Sequence, residues 1–138
     1  KDEAESRKNS EEIVLFLEQK LEKDLHELSP NFIPYIQLHE FEALLFSSID
    51  TINNTLQNAT PSTLSKLKTV LHTFGEPENI DTHKGPSVHL KEIYENQYQK
   101  IYHGIPIAEQ IGLEAIRDAC PHFDNWLKKL EAYACSHC

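Results

Sequence analysis

A short apolar run, Phe32–Leu38, constrains the fold of this chain more than any other segment. It is rich in aromatic and β-branched residues, follows Pro30 and is too short for a typical helix, so it predicts a β-strand. Apolar residues on both of its faces are typical of a strand covered on both sides, and Pro34 favours its start or an edge position. A lone strand leaves backbone N–H and C=O groups unpaired, so this run requires partner strands.

The rest of the chain predicts about seven or eight short helices and no second strand. In the first helix, Ser10 is the predicted N-cap and residues 1–10 are a polar, frayed arm. A later helix is expected to start at a Ser87 cap and to run through Tyr94. The apolar residues of the first helix recur at steps of three and four: Val14, Leu17, Leu21, Leu25 and Leu28.

The chain of 138 residues has the length of a single domain, 1–138. It starts with Lys1 and contains no methionine. Together with the unpaired strand, this favours a domain whose N-terminal strands are missing. We therefore expect an α/β domain of which the sequence is the C-terminal part.

Acidic residues dominate the charge of the chain. Thirteen Lys and Arg stand against 22 Asp and Glu, giving a formal charge of −9. A protein that binds nucleic acid by itself needs an excess of basic residues on one surface, and this acidic composition argues against such a protein. No apolar run is long enough to span a membrane and no leader peptide is evident, so we expect no membrane partner. The three cysteines are too few and too clustered for a disulfide framework, so we expect a cytoplasmic protein in a reducing environment.

The strongest candidate site follows the predicted strand, at Gln37, His39, Glu40 and Glu42. Ligand sites in open α/β sheets collect at the carboxyl ends of strands, and carboxylates there suit a hard cation such as Mg²⁺. No Lys or Arg lies between Lys23 and Lys66 to neutralise these acids. The alternative is an exposed helix start, where acidic side chains favour the helix dipole.

A second cluster near the C-terminus contains cysteine and histidine. Cys135 and Cys138, with His137 between them, have the spacing of half a structural zinc site, and Cys120 and His122 lie one helix earlier. That helix would hold the two halves about 20 Å apart, so zinc is the weaker interpretation. The alternative is a core cysteine at 120 and a loose tail.

Several segments together resemble one prokaryotic family, domain of unknown function 4276. The similarity runs from about residue 13 to 131. Its most specific parts are His39-Glu-Phe-Glu42 and Cys120-Pro-His-Phe123. The other matching segments are Phe32–Phe46 as a whole, Phe74–Ile80, Gly85–Ser87, Ile107–Arg117 and Cys120–Trp126.

The resemblance implies a TOPRIM-like α/β fold, the metal-binding fold of topoisomerases, primases and OLD-type nucleases. It implies that Glu40 and Glu42 are metal ligands for Mg²⁺ or Mn²⁺, with His39 orienting a phosphate or a carboxylate. It also implies an ATPase partner and a role in phage defence. The acidic strand and the Asp-x-Asp-like motif of such folds are not in the sequence, so we expect the chain alone to be inactive.

The expected function is therefore metal-dependent phosphoryl transfer, with nucleic acid as the substrate to be cleaved. Two other classes stay open. One is a non-catalytic helical module that binds a partner protein, and the other is a zinc-stapled helical domain.

Overall fold

The structure, a computed structural model, describes residues 2–80 and 83–136, with side chains described from Ser10 onward. Contacts divide the chain into two compact units, residues 1–38 with 122–138, and residues 39–121. Most of the described residues are helical, as the sequence predicts. None of the helices in the described ranges is long and apolar enough to cross a bilayer.

The first unit contains α1 (Asp2–Leu25) and most of α8 (Pro121–Ser136). Helix α1 starts well before the predicted cap, so Ser10 lies inside the helix. Residues 2–10, expected to be a frayed arm, are the first turns of α1 in the structure.

The predicted strand at 32–38 is wrong, because no described residue forms a β-strand. Side chains bind the backbone groups that a partner strand would have bound. The Ile36 N–H donates to Glu18 Oε1 at 2.7 Å, and its carbonyl accepts from His122 Nε2 at 3.1 Å. The indole N–H of Trp126 donates to the Ile33 carbonyl at 3.2 Å. The segment is therefore irregular backbone whose polar groups are bound by side chains instead of a sheet.

The second unit is a set of short helices. They are α2 (Glu42–Leu45), α3 (Ile49–Thr55), α4 (Pro61–Phe74), α5 (Pro86–Ile93), α6 (Ile105–Ile111) and α7 (Leu113–Ala119). Turns of 3₁₀-helix at Phe46–Ser48 and Pro77–Asn79 and a π-helical turn at Lys100–Gly104 lie between them. Thr60 and Thr63 form a reciprocal capping box that starts α4.

The core of the second unit holds α2 in place. Ala43 and Leu45 are fully buried, so the helix that carries the acidic motif is anchored on its apolar side. The core cluster consists of Leu45, Phe46, Ile52, Leu56, Leu67, Ile80, Leu90, Ile93, Tyr94, Tyr98 and Ile107.

Candidate functional site

Glu40 lies at the N-terminus of α5, far from it in sequence. Its Oε2 accepts a hydrogen bond from the backbone N–H of Ser87 at 2.8 Å. The first N–H groups of a helix have no intrahelical partner, and a carboxylate there is also stabilised by the helix dipole. Glu40 therefore supplies the cap that Gly85, the N-cap residue, cannot supply with a side chain.

This arrangement corrects the predicted role of Ser87. Helix α5 starts at Pro86 with Gly85 as its N-cap, so Ser87 lies in the first turn. Its backbone N–H is the donor to Glu40. A proline at the first helical position removes an N–H that would have no partner.

Gly85 leaves room for the close approach of the Glu40 carboxylate. A Cβ atom at residue 85 would lie 2.8 Å from the carboxyl carbon and 2.9 Å from each carboxylate oxygen. Any side chain at this position would have to displace Glu40. The residue type at 85 is thus part of the binding arrangement for the acid.

Glu42 is in a very different environment, because it is only 1% exposed. The Tyr98 hydroxyl donates to its Oε1 at 3.3 Å, and the Lys100 ammonium lies 3.1 Å from its Oε2. The Lys100 contact is electrostatic rather than a well-formed hydrogen bond, since Oε2 has no hydrogen-bond partner of ordinary geometry. A buried carboxylate is costly unless a nearby charge compensates it, and Lys100 supplies that charge.

The residues around Tyr98 hold this network together. Lys100 also lies over the Phe41 ring, 5.7 Å from its centroid. A Cβ atom at Gly104 would come within 3.1 Å of the Tyr98 hydroxyl oxygen, so glycine allows the close approach. Burial raises the pKa of Tyr98 well above its usual range, and the charges of Glu42 and Glu40 add to the effect. Tyr98 therefore stays protonated and remains a hydrogen-bond donor to Glu42.

His39 adopts a left-handed backbone conformation, with φ of 62°. Few residues other than glycine do so, and such outliers collect at functional sites. Gln37, the other residue of the predicted cluster, has its side chain bound by its own neighbours. It accepts from the Tyr35 hydroxyl and donates to the Leu38 carbonyl.

The two acids could serve a metal only as a pair. Within residues 2–80 and 83–136, no group of three or more His, Cys, Asp or Glu side chains could hold an ion. Mg²⁺ commonly takes one or two protein carboxylates and completes its shell with waters and substrate phosphates. The Glu42 oxygen that lacks a hydrogen-bond donor fits a cation, and Glu40 is two residues away in the chain.

Comparison with known families gives a single clear result. The sequence profile described as Domain of unknown function (DUF4276) matches residues 2–131. The chain belongs to the DUF4276 family. No curated protein and no solved structure matches it.

The DUF4276 chain places the cysteines of the predicted zinc cluster in different surroundings. Cys120 is buried beside the Ser47 hydroxyl, with 3.4 Å between Sγ and Oγ, and burial raises its pKa to about 12. Zinc binds the thiolate, which this environment disfavours. Cys135 is exposed, and the rest of the proposed site, His137 and Cys138, lies outside the described residues.

Sequence reasoning missed the basic and aromatic partners of the acids in this DUF4276 chain. Tyr98 and Lys100 lie more than 50 positions from Glu42, and no periodicity connects them. Gly85 carried a signal, because a Gly-Pro pair marks a turn or a helix start. That signal locates the helix terminus but does not identify the acid that binds there.

Proposed function

We propose that this chain contributes to a metal-dependent phosphoryl-transfer site of the nuclease type, in a TOPRIM-like α/β domain. The supporting observation is the pairing of the buried Glu42 carboxylate with the ammonium group of the exposed Lys100 side chain. A buried acid needs a compensating cation, and either a lysine or a metal ion can supply that charge.

Glu40 and Glu42 are the residues that would hold Mg²⁺ or Mn²⁺. The metal, when bound, supplies a charge that steadies a phosphate or activates a water. Lys100 compensates Glu42 in the absence of that charge. Once the acid is otherwise neutralised, the ammonium group is available to bind a phosphate oxygen. Tyr98 keeps the Glu42 carboxylate oriented through its hydroxyl.

The test uses the full-length protein and two measurements. The first is cleavage of labelled single-stranded DNA, duplex DNA and RNA with Mg²⁺ or Mn²⁺, with EDTA as the blank. The second is Mn²⁺ binding measured by electron paramagnetic resonance. We expect Glu42→Gln and Glu40→Gln to reduce both, while Glu109→Gln, an exposed acid on α6, changes neither. Cleavage and Mn²⁺ binding that survive both site variants would exclude this role.

The proposal includes an ATPase partner and a place in phage defence, because the family resemblance implies them. It also places the protein in the cytoplasm, where the unpaired thiols of Cys120 and Cys135 would stay reduced. Co-purification with the tagged full-length protein tests the partner. If no ATPase co-purifies with the tagged protein, the proposed partner is wrong.

A second candidate function is a protein-interaction module, favoured by the exposed surface of α1. Ile13, Phe16 and Leu17 are 50%, 63% and 41% exposed, although each is strongly apolar. Adjacent exposed apolar side chains on one helix are typical of a surface that binds another protein. Ile13→Ser with Phe16→Ser should abolish partner co-purification and leave metal-dependent cleavage intact. Retained co-purification in that variant would contradict this candidate.

A further inference from the structure

A cavity of about 400 Å³ lies next to the π-helical turn Lys100–Gly104, on residues that the metal site does not use. Its described lining residues include no acid, lysine or arginine. Instead, carboxamides surround it together with one imidazole ring. These residues are Gln57, Asn58, Asn96, Gln97, Gln99 and His103.

Asn58 is oriented by the backbone of the neighbouring loop. Its Nδ2 donates to the Tyr94 carbonyl at 3.1 Å, and this contact distinguishes the amide nitrogen from the amide oxygen. Its Oδ1 is buried and accepts no hydrogen bond from the described residues. Asn58 is therefore a carboxamide of fixed orientation in the cavity wall.

His103 presents a neutral ring with a defined tautomer. Its Nδ1 accepts a hydrogen bond from the Gln99 backbone N–H at 3.0 Å, so Nδ1 carries no proton. The remaining ring nitrogen, Nε2, is then the protonated one. The ring also lies against Tyr98, with 6.1 Å between the ring centroids. The cavity lining thus includes a neutral imidazole ring beside its carboxamides.

We propose that this cavity binds a nucleobase of the adenine type. The carboxamides of Asn and Gln pair a donor with an acceptor, which is the pattern that matches the adenine N6 and N7 atoms. Unstacked bases bind proteins by such edge contacts together with stacking on aromatic rings, including histidine. The uncharged lining suits a base better than a phosphate or a carboxylate ligand.

Tyr98 connects this cavity to the acidic site. Its ring contacts His103 on the cavity side, and its hydroxyl donates to Glu42. Lys100, which pairs with Glu42, follows the cavity residue Gln99 directly in the chain. The identification of the base as part of a nucleic acid rests on the proposed function, and the cavity would then bind one base of the substrate.

The test is a titration of the ¹⁵N-labelled full-length protein with adenosine, in EDTA so that metal chemistry plays no part. We expect saturable shifts of the Asn and Gln side-chain amide resonances assigned to the cavity. Gln97→Ala and Gln99→Ala should each weaken adenosine binding about fivefold, the value of one hydrogen bond. Both side chains are exposed, so the variants should keep the wild-type melting temperature. Gln110→Ala, an exposed glutamine on α6, is the matched control and should bind adenosine as the wild type does.

Ribose, inorganic phosphate and cytidine distinguish the other ligand chemistries. Shifts of the cavity amides by ribose or phosphate alone, equal shifts by cytidine, or no response to adenosine would each overturn the proposal. The two functions fail separately. Glu42→Gln should stop cleavage yet leave adenosine binding unchanged, so lost cleavage with retained binding bears only on the acidic site. Cleavage without any adenosine response bears only on the cavity.

Discussion

The carboxylate of Glu40 lies directly against the bare Cα of Gly85. A Cβ atom there would approach the carboxyl carbon to 2.8 Å, closer than real side chains tolerate. The contact joins the acidic motif to the N-terminus of α5, two segments that are 45 positions apart in sequence. Neither residue can change without affecting the other.

We predict that Gly85→Ala destabilises the protein because the added methyl group displaces Glu40 from the Ser87 N–H. The loss should be about 1–2 kcal/mol, the range for a lost helix cap. Chemical denaturation measures it. In a double-mutant cycle with Glu40→Ala, the penalty of Gly85→Ala should largely vanish, because the clash is gone. Additive losses would show that the two residues are not coupled.

Lys100 is predicted to stabilise the buried charge of Glu42. Replacing it by methionine keeps the packing of its stem but leaves the carboxylate with Tyr98 alone, and should cost about 1–2 kcal/mol. Lys128→Met is the control, since its pair with Asp124 is a surface pair worth well under 1 kcal/mol. Urea unfolding compares the two. Equal losses in both variants would contradict a special role for Lys100.

Glu18 is predicted to contribute far more to stability than Glu22 on the same helix. Its Oε1 accepts from both the Ile36 N–H and the His122 ring, and it is only 6% exposed. Glu18→Ala leaves the Ile36 N–H without its acceptor and removes one of the two acceptors of the His122 ring, and should cost about 2–3 kcal/mol. Glu22→Ala, at an exposed position, should change the free energy of unfolding by less than about 0.5 kcal/mol. Similar values for both variants would refute this assignment.

Alkaline pH is predicted to destabilise the fold through Tyr94. Burial raises the pKa of Tyr94 from its ordinary value of about 10 to about 12, so the folded state keeps the phenol proton to higher pH. The stabilisation is complete below pH 10 and decreases as pH rises through 10 to 12. Tyr94→Phe should lower stability at pH 8 by about 1 kcal/mol, since the hydrogen bond to Asn53 is lost. Its melting temperature should then decrease less steeply above pH 10 than that of the wild type.

Thiol reactivity is predicted to differ sharply between two cysteines. With a pKa near 12, the Cys120 thiol stays protonated and buried, whereas Cys135 is exposed. In a Cys138→Ser background at pH 8, iodoacetamide should modify Cys135 at least tenfold faster, as followed by peptide mass spectrometry. Comparable rates for the two residues would show that Cys120 is accessible.

Local sequence patterns predicted that the chain is mostly helical, but the predicted caps Ser10 and Ser87 both lie inside their helices in the structure. Some helix starts do depend on nearby residues, since Thr60 caps α4 through Thr63, three residues away. The environments of Glu40 and Glu42 could not be predicted in this way. Their partners, Ser87 and Lys100, are brought to them by the packing of distant segments. The sequence indicated that two acids were without local counter-charges, but not that one caps a helix and the other is buried.

The predicted strand failed for a related reason. Its composition satisfies a strand pattern, yet the pattern does not specify what binds the backbone. In the structure Glu18, His122 and Trp126 bind it, and each comes from a helix. Hydrophobic periodicity has no means of detecting a side chain that replaces a neighbouring strand.

Side chains bind the backbone groups of Ile33 and Ile36, and this has a consequence for how the chain behaves at high concentration. An exposed apolar segment with open N–H and C=O groups can recruit the same segment of another molecule and start aggregation. Here the Ile36 N–H, the Ile36 carbonyl and the Ile33 carbonyl are already occupied. These three side-chain contacts therefore oppose intermolecular β-pairing at the segment whose composition most favours a strand.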